Sequence, residues 1–182
     1  MLLGMTVGAA VMFGFGIVWL LIGLMSGSRS PRWLFVSLLF VGIALGSSIA
    51  ALGVRTSHLP RNPDPLTRQQ IEANRRVTLH FYIIFGIEIA AIFLAVAALK
   101  AVHYPDYILS GIALIVGVHF FPLAALFRTP VYYGTALCGC AIGFIGFFIA
   151  DDRLRRKFVS LSFGALLWAT AAWIVELGLF SH

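Results

Sequence analysis

The sequence predicts an all-α membrane protein, a polytopic bundle of about six transmembrane helices joined as antiparallel hairpins. Hydrophobic residues make up 60% of the 182 residues and charged residues only 11%, whereas soluble domains carry about a quarter charged residues. The mean hydropathy is +0.97, and the apolar residues are gathered in six long runs. Because no long polar stretch could form a second, water-soluble domain, we expect residues 1–182 to be a single transmembrane domain.

Each span is predicted from a run long enough to cross the hydrocarbon core, which is about 30 Å thick and takes about 20 helical residues. The first run is uncharged, and the first basic residue, Arg29, follows it, so we expect a retained helix and not a secretory signal peptide. The third run contains His80 and Glu88, the fourth contains His119, and the sixth contains Glu176. The predicted spans are 4–26, 33–54, 79–99, 107–127, 131–150 and 158–180.

The connections between the spans are mostly short. Turns such as residues 102–106 and 128–130 contain proline, and helices joined in this way must be antiparallel neighbours. The one long connection, residues 55–78, begins with a proline-rich stretch that cannot be the interior of a helix. Thr67 and Gln70 then have the spacing of a capping box. We interpret the polar run that follows as a surface helix or, as the favoured alternative, an extension of the third span.

Basic residues lie in the short segments between the spans, so a pI near 9.9 does not indicate nucleic-acid binding. Six spans place seven Lys and Arg residues on one side and six on the other, which leaves the orientation undecided, although the dense cluster 151–157 slightly favours its own side as cytoplasmic. We expect a multi-pass protein of a bacterial-type cytoplasmic (inner) membrane, with the lipid bilayer as its solvent. Gly-x-x-x-Gly spacings from Gly4, Gly42 and Gly139 favour helix contacts within the monomer, in a homo-oligomer or with a membrane-complex partner.

Titratable residues inside the spans are the functional candidates because a carboxylate at mid-membrane costs at least about 2.5 kcal/mol and seldom faces lipid. Glu88 and Glu176 each share a helical stripe with small residues, so both are expected to point into the bundle. The stripes are Ala91, Ala95 and Ala98 for Glu88, and Ala165, Ala169 and Ala172 for Glu176.

Depth in the membrane predicts which of these residues meet. Glu88 precedes Lys100 by twelve residues and His119 follows Asp106 by thirteen, so a rise of 1.5 Å per residue places both roughly 18–20 Å from the same surface. Because the third and fourth spans form a tight hairpin, we predict that Glu88 and His119 pair near mid-bilayer. A second pairing, between His80 and Glu176, is possible near the opposite interface. Pro122 predicts a kink and leaves the carbonyl four residues earlier without its helical donor, an irregularity that often lines a cavity.

These residues favour two functions. Glu88 and His119, with His80 and Glu176, could carry or relay protons in a small proton-linked transporter or channel. Alternatively, the pair only fixes helix register in a non-catalytic accessory or scaffold subunit of a membrane complex. A metal or haem site is disfavoured because the depths of His80 and His119 differ by roughly 10 Å, and we expect neither a metal nor another cofactor. No Gly-x-Ser-x-Gly or His-Glu-x-x-His motif indicates an enzyme.

Overall fold

The computed structural model describes residues 2–26, 42, 46–47 and 68–180, and these residues are helical apart from short turns. The predicted second span, residues 33–54, lies outside the described residues except for positions 42, 46 and 47. Five α-helices and one 3-10 turn follow in chain order. They are α1 (Leu2–Met25), α2 (Arg68–Ala101), the 3-10 turn Pro105–Tyr107, α3 (Ile108–Phe127), α4 (Val131–Gly146) and α5 (Asp152–Phe180).

Among the described residues, three helical stretches are long and apolar enough to cross a membrane. They are Arg75–Ala101, Pro105–Phe127 and Asp152–Leu177. Ala9–Met25 and Val131–Gly146 are shorter apolar helices. The predicted all-α class is therefore confirmed for the described residues, while the number of six spans stays a prediction.

α4 ends four residues before the predicted end of the fifth span at Ala150. Its 16 residues rise only about 24 Å. The N–H groups of Phe147 and Phe148 donate to carbonyls three residues back, both at 3.0 Å, and bonds of this spacing tighten the last turn of a helix. The residues beyond Gly146 are apolar enough to continue the run, yet they form the turn that leads into α5.

α2 is one continuous helix of 34 residues, so it is about 51 Å long. The polar residues from Arg68 to Thr78 continue the third span, which is the extension that the sequence favoured. Arg68, Glu72, Arg75 and Arg76 are exposed along this part of the helix. The proline-rich stretch before it lies outside the described residues.

α5 occupies the centre of the described bundle and α2 its edge. Within their most apolar 18-residue windows, 56% of the α5 residues, 39% of the α3 residues and 0% of the α2 residues are buried. α5 packs against α1 and α4, α3 packs against α4, and α2 packs mainly against α3. Among the described helices, Glu88 on α2 is therefore placed mainly by the contact of α2 with α3.

Glycines bring the central helices close together. A Cβ atom added at Gly164 of α5 would lie 3.1 Å from the carbonyl oxygen of Gly16 in α1. One added at Gly117 of α3 would lie 2.5 Å from the backbone nitrogen of Cys140 in α4. Such distances leave no room for a side chain, so these helices touch backbone to backbone, as small residues allow in membrane proteins.

Candidate functional site

Glu88 and His119 are in contact across the interface of α2 and α3. The Oε2 atom of Glu88 lies 3.2 Å from Nδ1 of His119, and each side chain is 10% exposed. The two side chains therefore meet as predicted, while their depth in a membrane stays a prediction. The contact has the distance of an ion pair but not the geometry of a hydrogen bond, since Nδ1 has no hydrogen-bond partner among the described residues.

The turn between α2 and α3 sets the register of this pair. His103 adopts a left-handed conformation with φ of 62°, and its N–H donates to the carbonyl of Lys100 at 3.1 Å. The N–H of Tyr104 donates to the carbonyl of Leu99 at 2.8 Å. This is the Schellman arrangement that ends a helix sharply. The 3-10 turn that starts at Pro105 then leads directly into α3, so similar residue counts from the turn bring Glu88 and His119 to one level.

An aromatic ring packs beside the pair. The ring of Phe120 meets the His119 imidazole edge to face, with ring centroids 5.9 Å apart. Within the part of the chain that the structure describes, neither Glu88 nor His119 has another ionic partner. The carboxylate and the imidazole therefore depend on one another for electrostatic compensation.

His80 and Glu176 are not joined by an ion pair in the described ranges. The Nδ1–H of the exposed His80 ring donates to the carbonyl of Arg76 in its own helix at 2.7 Å, which leaves Nε2 as the nitrogen without a proton in the neutral ring. Glu176 is also exposed. These two residues face the surroundings of the bundle and not each other.

The expected inward orientation of Glu176 is not found among the described helices. The alanines that share its stripe, Ala165, Ala169 and Ala172, are exposed as well. The core face of α5 is made by larger residues, including Phe163 at 0% and Leu167 at 2% exposure. Large side chains gain more from leaving water or filling a core than alanine does, so they and not the alanines set the rotation of α5.

Pro122 lies inside α3, three residues after His119, and is exposed. α3 continues through this position as one helix. Because proline has no N–H, the carbonyl of Val118 cannot receive its usual helical hydrogen bond. The kink and the free acceptor expected at Pro122 stay predictions.

Arg155 is a buried charge that the sequence pattern did not single out from the cluster 151–157. Its side chain is 1% exposed and forms an ion pair with Asp152. One guanidinium nitrogen donates to the carbonyl of Ile149 at 3.0 Å. The guanidinium carbon lies 3.8 Å from the centroid of the Tyr107 ring, which itself stacks on Phe147 with centroids 5.7 Å apart.

The helical period contains the signal that identifies Arg155. Residues four apart share a helix face, and both Val159 and Phe163 are 0% exposed. Arg155 continues this face by one turn toward the start of α5. Its position, and not its charge, therefore predicts burial.

The described residues include no group of three or more His, Cys, Asp or Glu side chains that could hold a metal ion. No protein-family model, curated protein or solved structure matches this chain. The functional argument therefore rests on the geometry of the residues themselves.

Proposed function

We propose that this chain is a six-span, multi-pass membrane protein that carries protons through Glu88 and His119, as a small proton-linked transporter or channel. The observation that supports this function is the contact of a carboxylate with an imidazole between two apolar helices. Ionisable residues at such a depth are rare unless they serve an ion or substrate pathway. The assignment to a bacterial-type cytoplasmic membrane stays a prediction.

The chemistry of the pair suits proton transfer. A protonated Glu88 carboxyl can donate its proton to Nδ1 of His119, and the imidazolium so formed can release a proton from Nε2, its other ring nitrogen. The carboxylate stabilises the imidazolium at the 3.2 Å separation seen between them. Net movement of one proton then requires only that the imidazole turn and that the carboxylate be reprotonated.

The two exposed candidates extend this proposal. His80 lies eight residues from Glu88 in α2, which corresponds to about 12 Å along the helix axis. Nε2 of His80 supplies an acceptor near the opposite interface, and the Glu176 carboxyl supplies another on α5. Both residues are accessible for this purpose, whether the pathway is completed by one chain or by a homo-oligomer.

Proton flux into liposomes tests the proposal. Purified protein is reconstituted with a trapped pH-sensitive dye, and a potassium diffusion potential drives proton entry. We expect Glu88→Gln to reduce the flux to that of protein-free liposomes, because an amide cannot exchange a proton. Glu72→Gln is the matched control, since Glu72 is an exposed residue of the same helix, and it should leave the flux unchanged.

Two results would contradict proton transport. One is a wild-type flux no higher than that of protein-free liposomes, and the other is an equal flux in the wild type and Glu88→Gln. Either result would favour the alternative of a non-catalytic accessory or scaffold subunit. Unfolding curves of the same samples would separate a lost pathway from a lost fold.

A further inference from the structure

After the polar first part of α2, most of the charged residues that the structure describes lie at one end of the bundle. This is the end at which α2 and α4 end and α3 and α5 begin. Residues 100–106 and 151–157 contain five basic and three acidic residues, so this end carries a net charge of +2. The basic residues are Lys100, Arg153, Arg155, Arg156 and Lys157, and the acidic ones are Asp106, Asp151 and Asp152.

The acidic residues are largely occupied by contacts within the protein. Asp152 forms the ion pair with Arg155. The Oδ1 atom of Asp151 accepts a hydrogen bond from the backbone N–H of Leu154 at 2.6 Å, which caps the start of α5. Asp106 lies 3.8 Å from Arg156 at a separation typical of a loose surface pair.

Three basic residues lie on one face of α5, where Arg153 and Arg156 are exposed and Lys157 is half-buried. Arg153, Arg156 and Lys157 are spaced i, i+3 and i+4, so they are neighbours on the helix surface. Arg155 points to the opposite side and is buried. In the described part of the chain, no carboxylate lies within ion-pair distance of Arg153 or Lys157.

Exposed apolar side chains lie at the same end of the bundle. The exposed fractions are 58% for Leu154, 73% for Phe148 and 59% for Tyr104. The apolar part of α5 begins immediately after Lys157, with Phe158. Aromatic residues beside basic ones mark the level of lipid headgroups at the end of a membrane helix, so the basic face lies where phosphates are found.

We infer that Arg153, Arg156 and Lys157 bind the phosphate headgroup of an anionic phospholipid. The guanidinium groups match phosphate oxygens in pairs, the ammonium adds a point charge, and the exposed apolar side chains at this end contact the acyl chains. Arg155 is a positioning residue for this surface, since its buried contacts fix the first turn of α5. The inference requires the membrane placement proposed above but not proton transfer.

Lipid retention by the full chain tests this inference. Protein in detergent is titrated with phosphatidylglycerol or phosphatidylcholine, and bound lipid is counted by native mass spectrometry. We expect a clear preference for phosphatidylglycerol. Replacing Arg153, Arg156 and Lys157 by Gln should weaken its binding about 100-fold, because each basic residue near an anionic surface contributes about fivefold.

A matched triple variant controls for the loss of charge alone. Replacing the exposed residues Arg68, Arg75 and Arg76 by Gln removes the same charge from the far part of α2 and should leave lipid retention unchanged. The inference is overturned by equal binding of the two lipids, by an equal loss in this control, or by displacement of phosphatidylglycerol with millimolar inorganic phosphate.

Two further variants separate a loss of lipid binding from unfolding and from a loss of proton flux. If the triple replacement at α5 unfolds the protein, Arg153→Gln combined with Lys157→Gln leaves the Arg156 contact intact and should still weaken phosphatidylglycerol binding. Unchanged binding in this folded double variant overturns the inference. Glu88→Gln should bind the lipid as the wild type does, so a failed flux experiment and a failed lipid experiment are distinguishable.

Discussion

Two buried charged regions of this molecule are built in different ways. Arg155 is 1% exposed and has partners from α5, from the segment before α5 and from the 3-10 turn. Glu88 and His119 are each 10% exposed, and they have no second ionic partner among the described residues. Of the described helices, Arg155 lies in the central one and Glu88 in the peripheral one.

The number of partners distinguishes a structural charge from one that is free to react. A guanidinium held on several sides cannot move without breaking contacts in three elements of the fold. A carboxylate that meets one imidazole can exchange a proton with it and lose only that contact. We therefore expect a mutation of Arg155 to lower stability more than proton flux. A mutation of Glu88 or His119 should lower proton flux more than stability.

The largest loss of stability is expected from Arg155→Ala. It should lower the free energy of unfolding by about 2–4 kcal/mol, because a buried side chain, a hydrogen bond and a cation–π contact are removed. Asp152 is about half exposed, so water can solvate the carboxylate that remains, which limits the loss. Unfolding of purified protein in mixed micelles by increasing denaturant measures the change.

Two variants sharpen this measurement. Arg155→Lys keeps the charge but not the planar guanidinium, so it should restore only part of the stability. Arg153→Ala, on the exposed face of the same helix turn, should change the unfolding free energy by less than about 0.5 kcal/mol. Equal losses in Arg155→Ala and Arg153→Ala would remove the structural role assigned to Arg155.

An intermediate loss is expected from Gly117→Ala, at the contact of α3 with α4. The added methyl group would lie 2.5 Å from the backbone nitrogen of Cys140, so the helices must separate, at a cost of about 1–3 kcal/mol. Because Gly117 precedes His119 by two residues, proton flux should fall together with stability. Both are measured on the same preparation, by denaturant unfolding and by the liposome assay.

Gly134→Ala is the matched control in α4. A Cβ atom added there meets nothing within 4 Å, and alanine is the better helix former by about 1 kcal/mol. The control should therefore be neutral or slightly stabilising, with normal flux. A comparable loss of stability at Gly134 would show that the close contact at Gly117 is not the cause.

The smallest effect is expected for the coupling of Glu88 with His119. A double-mutant cycle with Glu88→Ala and His119→Ala should give a coupling energy of about 0.6 kcal/mol, which is typical of polar contacts between membrane helices. A cycle with Glu72→Ala and His80→Ala, which share no ion pair among the described residues, should give a value near zero. A Glu88–His119 coupling above about 2 kcal/mol would make this pair a structural element like Arg155.

Contacts within a hairpin could be predicted from the sequence, and contacts between distant helices could not. Glu88 and His119 were predictable because a short turn joins their helices and the helical rise then fixes their depths. His80 and Glu176 belong to α2 and α5, which no single turn connects, so equal depth did not imply contact. The lateral arrangement of helices depends on packing that depth does not encode.

The sequence pattern also missed the end of α4 and the burial of Arg155. The apolar residues after Gly146 were predicted to be helical because hydrophobicity alone does not separate an apolar turn from a helix. In the structure they form a turn. Arg155 was not separated from its charged neighbours in the sequence because arginine is seldom fully buried unless it is paired. Its buried position followed from the period of α5, which its charge obscured.

The pairing of α1 with α5 also bears on how the protein is made. More than 120 residues separate the end of α1 from the start of α5, which at about 5–20 residues per second takes a ribosome about 6 to 24 s to synthesise. During that interval Gly16 and the buried Trp19 of α1 have no α5 to pack against. α1 is thus synthesised well before α5, and the contact between these two helices forms only after α5 has been made.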